Sequence, residues 1–153
     1  MRGQATAYPT GIEEKMALAE QLNWRIAVAE DNNRIISLDF DGVIHNYLEW
    51  DGPVPTGEPV PGALETIWWL LNAGYKVFIL STRAHENPMG KAGIEEWLMT
   101  HGFPILEVTA EKRHADLYVD DRGFRFMGPQ SWQALRDFLA VNPKPGRWGK
   151  NAG

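Results

Sequence analysis

Apolar positions along the chain form short clusters whose spacing changes from helical to extended and back. Between residues 11 and 30 they recur every three or four positions, and Thr10 with Glu13 forms a capping box before them, which predicts an amphipathic helix. Compact apolar runs bounded by turn residues predict buried strands at 34–38, 75–80, 105–108 and 115–119. Other apolar stripes predict helices at 63–72, around Ile94 to Leu98, and from Pro129 to about Ala140.

This alternation of helices and strands is typical of an α/β fold with a mostly parallel sheet. We expect a three-layer, Rossmann-like core in which right-handed crossovers bring the carboxyl ends of the strands to one edge, where such sheets bind ligands. The 153 residues suffice for one domain. We place that domain at 11–140, between a loose N-terminus at 1–10 and a disordered tail at 141–153.

Composition narrows the classes of protein that fit. The chain has 15 Lys and Arg residues against 20 Asp and Glu residues, so its formal charge is −5. This acidic balance argues against nucleic acid as the main partner, although it leaves a local basic patch open. The lack of cysteine excludes a disulfide scaffold and a thiolate zinc site. No apolar run approaches the ~20 residues of a membrane span, and none near the N-terminus is of the signal-peptide type, so we expect a cytoplasmic protein.

Polar side chains that could carry chemistry follow the predicted strands. They are Asp39 and Asp41, Ser81 with Thr82, Lys112, and Asp120 with Asp121. In a parallel sheet these residues converge at one edge, where several carboxylates would raise one another's pKa. A hard divalent cation relieves that repulsion, and oxygen ligands suit Mg²⁺. The lysine and a hydroxyl beside the metal favour an anion, most simply a phosphate.

The run Leu38-Asp39-Phe40-Asp41-Gly42-Val43 resembles the first motif of the haloacid dehalogenase (HAD) superfamily of phosphotransferases, Asp-x-Asp-x-Thr/Val after a hydrophobic strand. Ser81 resembles the second motif of that family, Lys112 the third, and Asp120-Asp121 the fourth. The likeness extends over about 34–125, and the four motifs occur in the family's order. The resemblance implies a phosphatase, and it therefore implies a phosphorylated substrate.

The resemblance also implies roles for the four acids. Asp39 would be the nucleophile that forms an aspartyl-phosphate. Asp41 would be the general acid and base, which protonates the leaving oxygen and then activates water. Mg²⁺ would bind the Asp39 carboxylate, the Asp41 carbonyl and Asp120, with Asp121 helping directly or through water.

Phosphoryl oxygens would be held by Ser81 and Lys112, with backbone amides near Gly42 and Thr82. Two alternatives stay open here. Thr82 could replace Ser81 as the phosphate hydroxyl, although Ser81 directly follows the apolar run. Arg113 could replace Lys112 as the cation.

Three further residues are candidates for substrate contact: His45 beyond the first motif, and Arg83 and His85 beyond the second. The patterns Ser81–Arg83 and Asp120–Arg122 also bear a weaker resemblance to the phosphatase part of polynucleotide kinase-phosphatases and to small phage or bacterial HAD-like hydrolases. Nucleotides, sugar phosphates, phosphoproteins and nucleic-acid 3′-phosphates all remain candidate substrates.

A non-catalytic phosphoaspartate relay is the alternative function, because receiver domains also place acids, a hydroxyl and a lysine on a parallel sheet. Here Asp-x-Asp leads and Asp-Asp trails, which is the phosphatase order. The intervals from Asp41 to Ser81 and from Ser81 to Lys112 are too short for a separate cap domain. We therefore expect an open site, roofed at most by residues 45–60, by the 11–30 helix or by a second copy of the chain, that could admit a bulky substrate.

Overall fold

The computed structural model describes residues 33–50, 52–85 and 87–144. The predicted helix at 11–30, the N-terminal residues 1–10 and the part of the predicted tail beyond residue 144 lie outside the described residues. The four motifs all lie within them.

The described strands form one four-stranded sheet in which every pairing is parallel. They are β1 (Ile35–Asp39), β2 (Lys76–Leu80), β3 (Glu107–Thr109) and β4 (Leu117–Val119), in the spatial order β3-β2-β1-β4. Asp39 pairs with Leu80, and Leu80 pairs with Thr109. The carboxyl ends of β1, β2 and β3 are therefore level, and the parallel β4 brings its own carboxyl end to the same edge beside β1. The predicted α/β, Rossmann-like fold is confirmed.

Three helices accompany the sheet. They are α1 (Ala63–Asn72), α2 (Pro88–Thr100) and α3 (Ser131–Val141), and a 3₁₀ turn spans Thr82–Ala84. The bounds predicted for α1 are those observed. The helix that the sequence predicted around Ile94 to Leu98 begins earlier than that apolar stripe, at Pro88. Proline fits the first turn of a helix, and the Asn87 side chain accepts a hydrogen bond from the Met89 amide at 2.9 Å.

A single apolar core joins the sheet to the first two helices. Its fully buried members come from the strand β2, the helices α1 and α2, and the turns that follow β1 and α2: Phe40, Ile44, Leu64, Ile79, Ile94, Leu98 and Phe103. Phe40 lies between the two acids of the first motif. Because its ring is anchored in the core, the direction in which the chain leaves β1 is fixed.

No separate cap domain lies in the described parts of the two intervals between motifs. The described chain between Asp41 and Ser81 contains a loop, α1 and β2, and that between Ser81 and Lys112 contains the 3₁₀ turn, α2 and β3. None of the helices within the described ranges is long and apolar enough to cross a membrane.

Candidate active site

Three carboxylates meet at the carboxyl edge of the sheet. Asp39 is the last residue of β1, and Asp120 and Asp121 directly follow the neighbouring β4. One carboxylate oxygen from each lies within 4.8 Å of the other two. Asp120 is fixed by its own turn, because its Oδ1 accepts hydrogen bonds from the amides of Arg122 and Gly123 at 2.6 and 3.0 Å.

The electrostatic effect of this cluster is seen at Asp39. Burial, together with the negative charges of Asp120 and Asp121, raises the pKa of Asp39 to about 7, against the opposing effect of the Phe40 amide that donates to its Oδ1. The set consists of oxygen donors only, and a divalent cation would supply the missing positive charge. The three residues could therefore hold a hard divalent cation such as Mg²⁺, and the metal itself stays a prediction.

Gly42 allows the first and fourth motifs to approach each other. Its φ is +85°, in the left-handed region, and a Cβ at this position would overlap the carboxylate of Asp121. Its amide donates to the carbonyl of His45 at 2.8 Å. The prediction that Gly42 lends its own amide to phosphate therefore finds no support here, because the turn after β1 uses that donor.

Gly42→Ala should abolish the rise in Tm that we expect when Mg²⁺ is added, while the fold itself loses only a little stability. We expect a loss of about 1–2 kcal/mol of stability from the left-handed backbone and displacement of the Asp121 side chain from the cluster. Gly62→Ala is the matched control, since Gly62 has a φ of +89° and, apart from its chain neighbours, no atom of the described residues within 4 Å of the point where a Cβ would lie. Thermal melting with and without Mg²⁺ measures both; a Mg²⁺ response that survives equally in the two variants would contradict this role of Gly42.

Asp41, the second acid of the motif, pairs with His45 and Arg83 and does not join the cluster of three carboxylates. Its Oδ1 accepts from His45 Nδ1 at 2.8 Å and from an Arg83 terminal nitrogen at 2.9 Å, and its Oδ2 accepts from Arg83 Nε at 3.1 Å. The Asp41 carboxylate is thus not part of the group formed by Asp39, Asp120 and Asp121. Burial by itself raises the pKa of Asp41, but the hydrogen bonds from His45 and Arg83 and the arginine charge outweigh it and hold that pKa below its usual value.

His45 is a support for Asp41, enclosed in the core. Its Nε2 accepts a hydrogen bond from the Gly57 amide at 2.8 Å, so Nδ1 carries the hydrogen that is donated to Asp41. The ring stacks on Phe40 with centroids 5.2 Å apart and meets the edge of Trp97 at 5.4 Å. Both ring nitrogens are therefore engaged within the protein and the residue is 1% exposed, so His45 is not placed to contact a substrate, in contrast to the expectation from the sequence.

Arg83 is likewise a buried partner of Asp41. Its side chain is fully buried, and besides Asp41 it donates to the Gly52 carbonyl at 2.5 Å. Its guanidinium carbon lies 4.8 Å from the centroid of the Trp50 ring. The expectation that Arg83 contacts a second anion of the substrate is not supported by these contacts, because the guanidinium already pairs with Asp41.

Ser81 and Thr82 differ in exposure. Ser81 directly follows β2 and is 2% exposed, and its Oγ accepts from the Arg83 amide at 3.2 Å. The Ser81 hydroxyl hydrogen is therefore directed away from that bond and can donate to another oxygen. Thr82 is exposed and, with His85, lines a cavity beside the turn.

Lys112 lies in the loop between β3 and β4, and it is exposed. Its ammonium is 5.0 Å from the centroid of the Tyr118 ring, and the tyrosine hydroxyl donates to the Arg113 carbonyl. Arg113 itself pairs with Glu107. Lys112 and Arg113, the two cations considered for phosphate, therefore contact side chains of β4 and β3 respectively. Lys112 would have to change its side-chain conformation and leave the Tyr118 ring to reach a phosphate.

No family model matches this chain, and neither a curated protein nor a solved structure matches it.

Proposed function

We propose that the protein is a Mg²⁺-dependent phosphomonoester hydrolase in which Asp39 is the nucleophile. The observation that carries the proposal is that the two acids of one short motif have different partners. Asp39 joins Asp120 and Asp121 in a cluster suited to a cation, whereas Asp41 is held separately as a carboxylate by His45 and Arg83. A metal site alone would not need the second, ionised acid beside it.

The reaction has two displacements at phosphorus. A carboxylate oxygen of Asp39 attacks phosphorus, the bond to the ester oxygen breaks with its electron pair, and the leaving oxygen takes a proton from solvent. Water then attacks the aspartyl-phosphate, the bond between phosphorus and Asp39 breaks, and inorganic phosphate departs. Mg²⁺ held by Asp39, Asp120 and Asp121 would lower the repulsion between the carboxylates and the phosphate and offset the charge of the transition state.

Asp41 is suited to the second displacement. A carboxylate whose pKa is lowered is ionised near neutral pH, so it can accept the proton of the attacking water. The same contacts keep Asp41 ionised in the resting protein, so it lacks the proton that a general acid must already hold when the first displacement begins, whereas a base starts from the ionised form. We therefore propose Asp41 as a base, in place of the combined acid and base role that the family resemblance implies.

The residues after β2 and β3 would hold the phosphoryl oxygens. Ser81 follows β2, the strand that pairs with β1 and Asp39. Its Oγ already accepts a hydrogen bond from the Arg83 amide, so its hydroxyl hydrogen is left to donate to a phosphoryl oxygen. Lys112 would supply a positive charge from the neighbouring loop. The described residues leave the edge without a cap, so we propose that bulky phosphate esters, among them 3′-phosphorylated oligonucleotides, belong in any substrate panel.

The direct test is hydrolysis of p-nitrophenyl phosphate and of a broad panel of phosphate esters, with Mg²⁺ and with EDTA. We expect turnover only with the metal. Nitrophenolate departs without a proton, so this ester should react faster than alkyl phosphates. A stable phosphoprotein that forms without turnover would instead favour the relay function.

Mg²⁺ should also change the pH dependence of stability. In the metal-free protein the pKa of Asp39, raised to about 7, exceeds that of the unfolded chain, so this group stabilises the fold at low pH and loses that contribution as the pH rises from about 4 through 7. We expect the wild-type Tm in EDTA to fall by about 5 °C more than that of Asp39→Asn between pH 5 and pH 8. Adding Mg²⁺ at pH 8 should recover most of this difference; identical pH profiles for the two proteins in EDTA would contradict the clustered carboxylates.

A further inference from the structure

A cavity of about 540 Å³ lies beside the acidic site, within the size range of small-molecule pockets. Its walls are formed by Trp50, Pro53, Thr82, Arg83, His85 and Asn87. Thr82 and Arg83 directly follow Ser81, and Arg83 contacts Asp41. The cavity is therefore adjacent to Ser81, which would hold the phosphoryl group, and it offers room for the rest of a phosphate ester.

Trp50 is an exposed aromatic residue that lines this cavity. Its side chain is 60% exposed, so it contributes little to the core. The ring nevertheless has a fixed support, because the Arg83 guanidinium lies 4.8 Å from its centroid. That guanidinium is itself held by two bonds to Asp41 and one to the Gly52 carbonyl. A supported and exposed indole is a suitable platform for another flat ring.

We propose that this cavity binds the non-phosphate part of the substrate through a planar aromatic ring stacked on Trp50, an inference that rests on the proposed hydrolase function. The exposed side chains of Thr82 and His85 offer hydrogen bonds to polar atoms at the edge of such a ring. Nucleoside monophosphates and aryl phosphates such as phosphotyrosine share this chemistry. The Arg83 guanidinium contacts both the Asp41 carboxylate and the Trp50 ring, so one side chain connects the wall of the cavity to the candidate active site.

The test compares substrates that differ only in the ring. Adenosine 5′-monophosphate and ribose 5-phosphate have the same leaving oxygen, so their kcat/KM ratio reports recognition of the base. We expect wild type to prefer the nucleotide about tenfold, the range of base stacking on aromatic side chains. Trp50→Phe should keep most of the preference, and Trp50→Leu should bring the ratio close to one. Leu48→Ala is the matched control, because Leu48 is 72% exposed in the same loop and does not line the cavity.

Phosphotyrosine and phosphoserine form the second arm, judged by the loss that Trp50→Leu causes in each. A larger loss with phosphotyrosine than with adenosine monophosphate assigns the cavity to aryl phosphates, and the reverse assigns it to nucleotides. Losses no larger with the ringed substrates than with ribose 5-phosphate and phosphoserine would overturn the inference and leave the proposed hydrolase standing.

A binding measurement separates the two proposals. Equilibrium dialysis of Asp39→Asn with adenosine monophosphate and with ribose 5-phosphate needs no turnover. Tighter binding of the nucleotide, lost in the double variant with Trp50→Leu, supports the ring site even if no ester is hydrolysed and the hydrolase proposal fails. Equal binding of the two ligands would overturn the ring site.

Discussion

Asp39→Asn should reduce kcat for p-nitrophenyl phosphate by at least about 10³-fold, as expected when the nucleophile of a covalent mechanism is removed. The amide nitrogen and oxygen of asparagine cannot form the acyl phosphate. The same change should raise the Tm of the metal-free protein at pH 8. It removes the negative charge of Asp39, which burial and the charges of Asp120 and Asp121 destabilise in the folded protein. Loss of activity together with a gain of stability is a combination that mere unfolding cannot produce.

Asp137→Asn is the matched control for this experiment. Asp137 lies on α3, is exposed, and accepts a hydrogen bond from Gln133 at 2.8 Å, so the same change of acid to amide leaves the site intact. Steady-state rates, and capture of a ³²P-labelled phosphoprotein during turnover, measure the two effects. Full activity in Asp39→Asn would overturn the assignment of the nucleophile, and a labelled wild type that persists without releasing phosphate would replace the hydrolase with a relay.

The sequence was sufficient for the sheet and for the convergence of the acids. Short apolar runs located each strand to within about two residues, and the ends of parallel strands then have to share an edge. The expected burial was wrong for β4, whose residues Leu117, Tyr118 and Val119 are all exposed because β4 is an edge strand of the described sheet. Gly74 and Gly102, both with positive φ, follow α1 and α2, where glycine commonly ends a helix. The start of α2 was misplaced because Pro88 resembles a loop residue unless the cap at Asn87 is considered with it.

The sequence did not reveal which polar residues support others. His45 and Arg83 look like substrate ligands in the chain, since both follow motif residues, yet both are buried against Asp41. One signal was present: His45 is four residues after Asp41 in a tight turn, a spacing that allows contact. The pairing of Asp41 with Arg83, 42 positions away, depends on the packing of two strand ends and could not be read from spacing.

The proximity of Gly42 to Asp121 also depends on the packing of two strand ends that are far apart in the sequence. Asp-x-Asp-Gly could be interpreted as a simple turn, and nothing local indicates that a side chain from the fourth motif would fill the space above the glycine. Contacts of this kind arise only once β1 and β4 are neighbours. They explain why the sequence located the site better than it assigned the role of each residue.

Arg83→Leu should impair both stability and the pH profile, because it leaves the partly buried Asp41 carboxylate with His45 as its remaining side-chain partner in this network. Breaking such a pair costs about 3 kcal/mol. The pKa of Asp41 should rise, since the arginine bonds and charge lower it in the wild type. A base with a raised pKa is ionised only at higher pH, so the acidic limb of kcat against pH should move upward, and the loss of activity should be larger at acidic pH than at pH 8.

Arg34→Leu separates this effect from the loss of any arginine. Arg34 pairs with Asp116 at 3.2 Å, but its side chain is 66% exposed, so the change should cost less than about 1 kcal/mol and leave the pH profile where it was. Arg83→Lys tests the geometry, because an ammonium keeps the charge but cannot reproduce the two-pronged contact of the guanidinium with Asp41. In Arg83→Lys the acidic limb should therefore shift less than in Arg83→Leu, but kcat should stay low. An unshifted limb in Arg83→Leu, with the fold intact by circular dichroism, would mean that Asp41 is not the base.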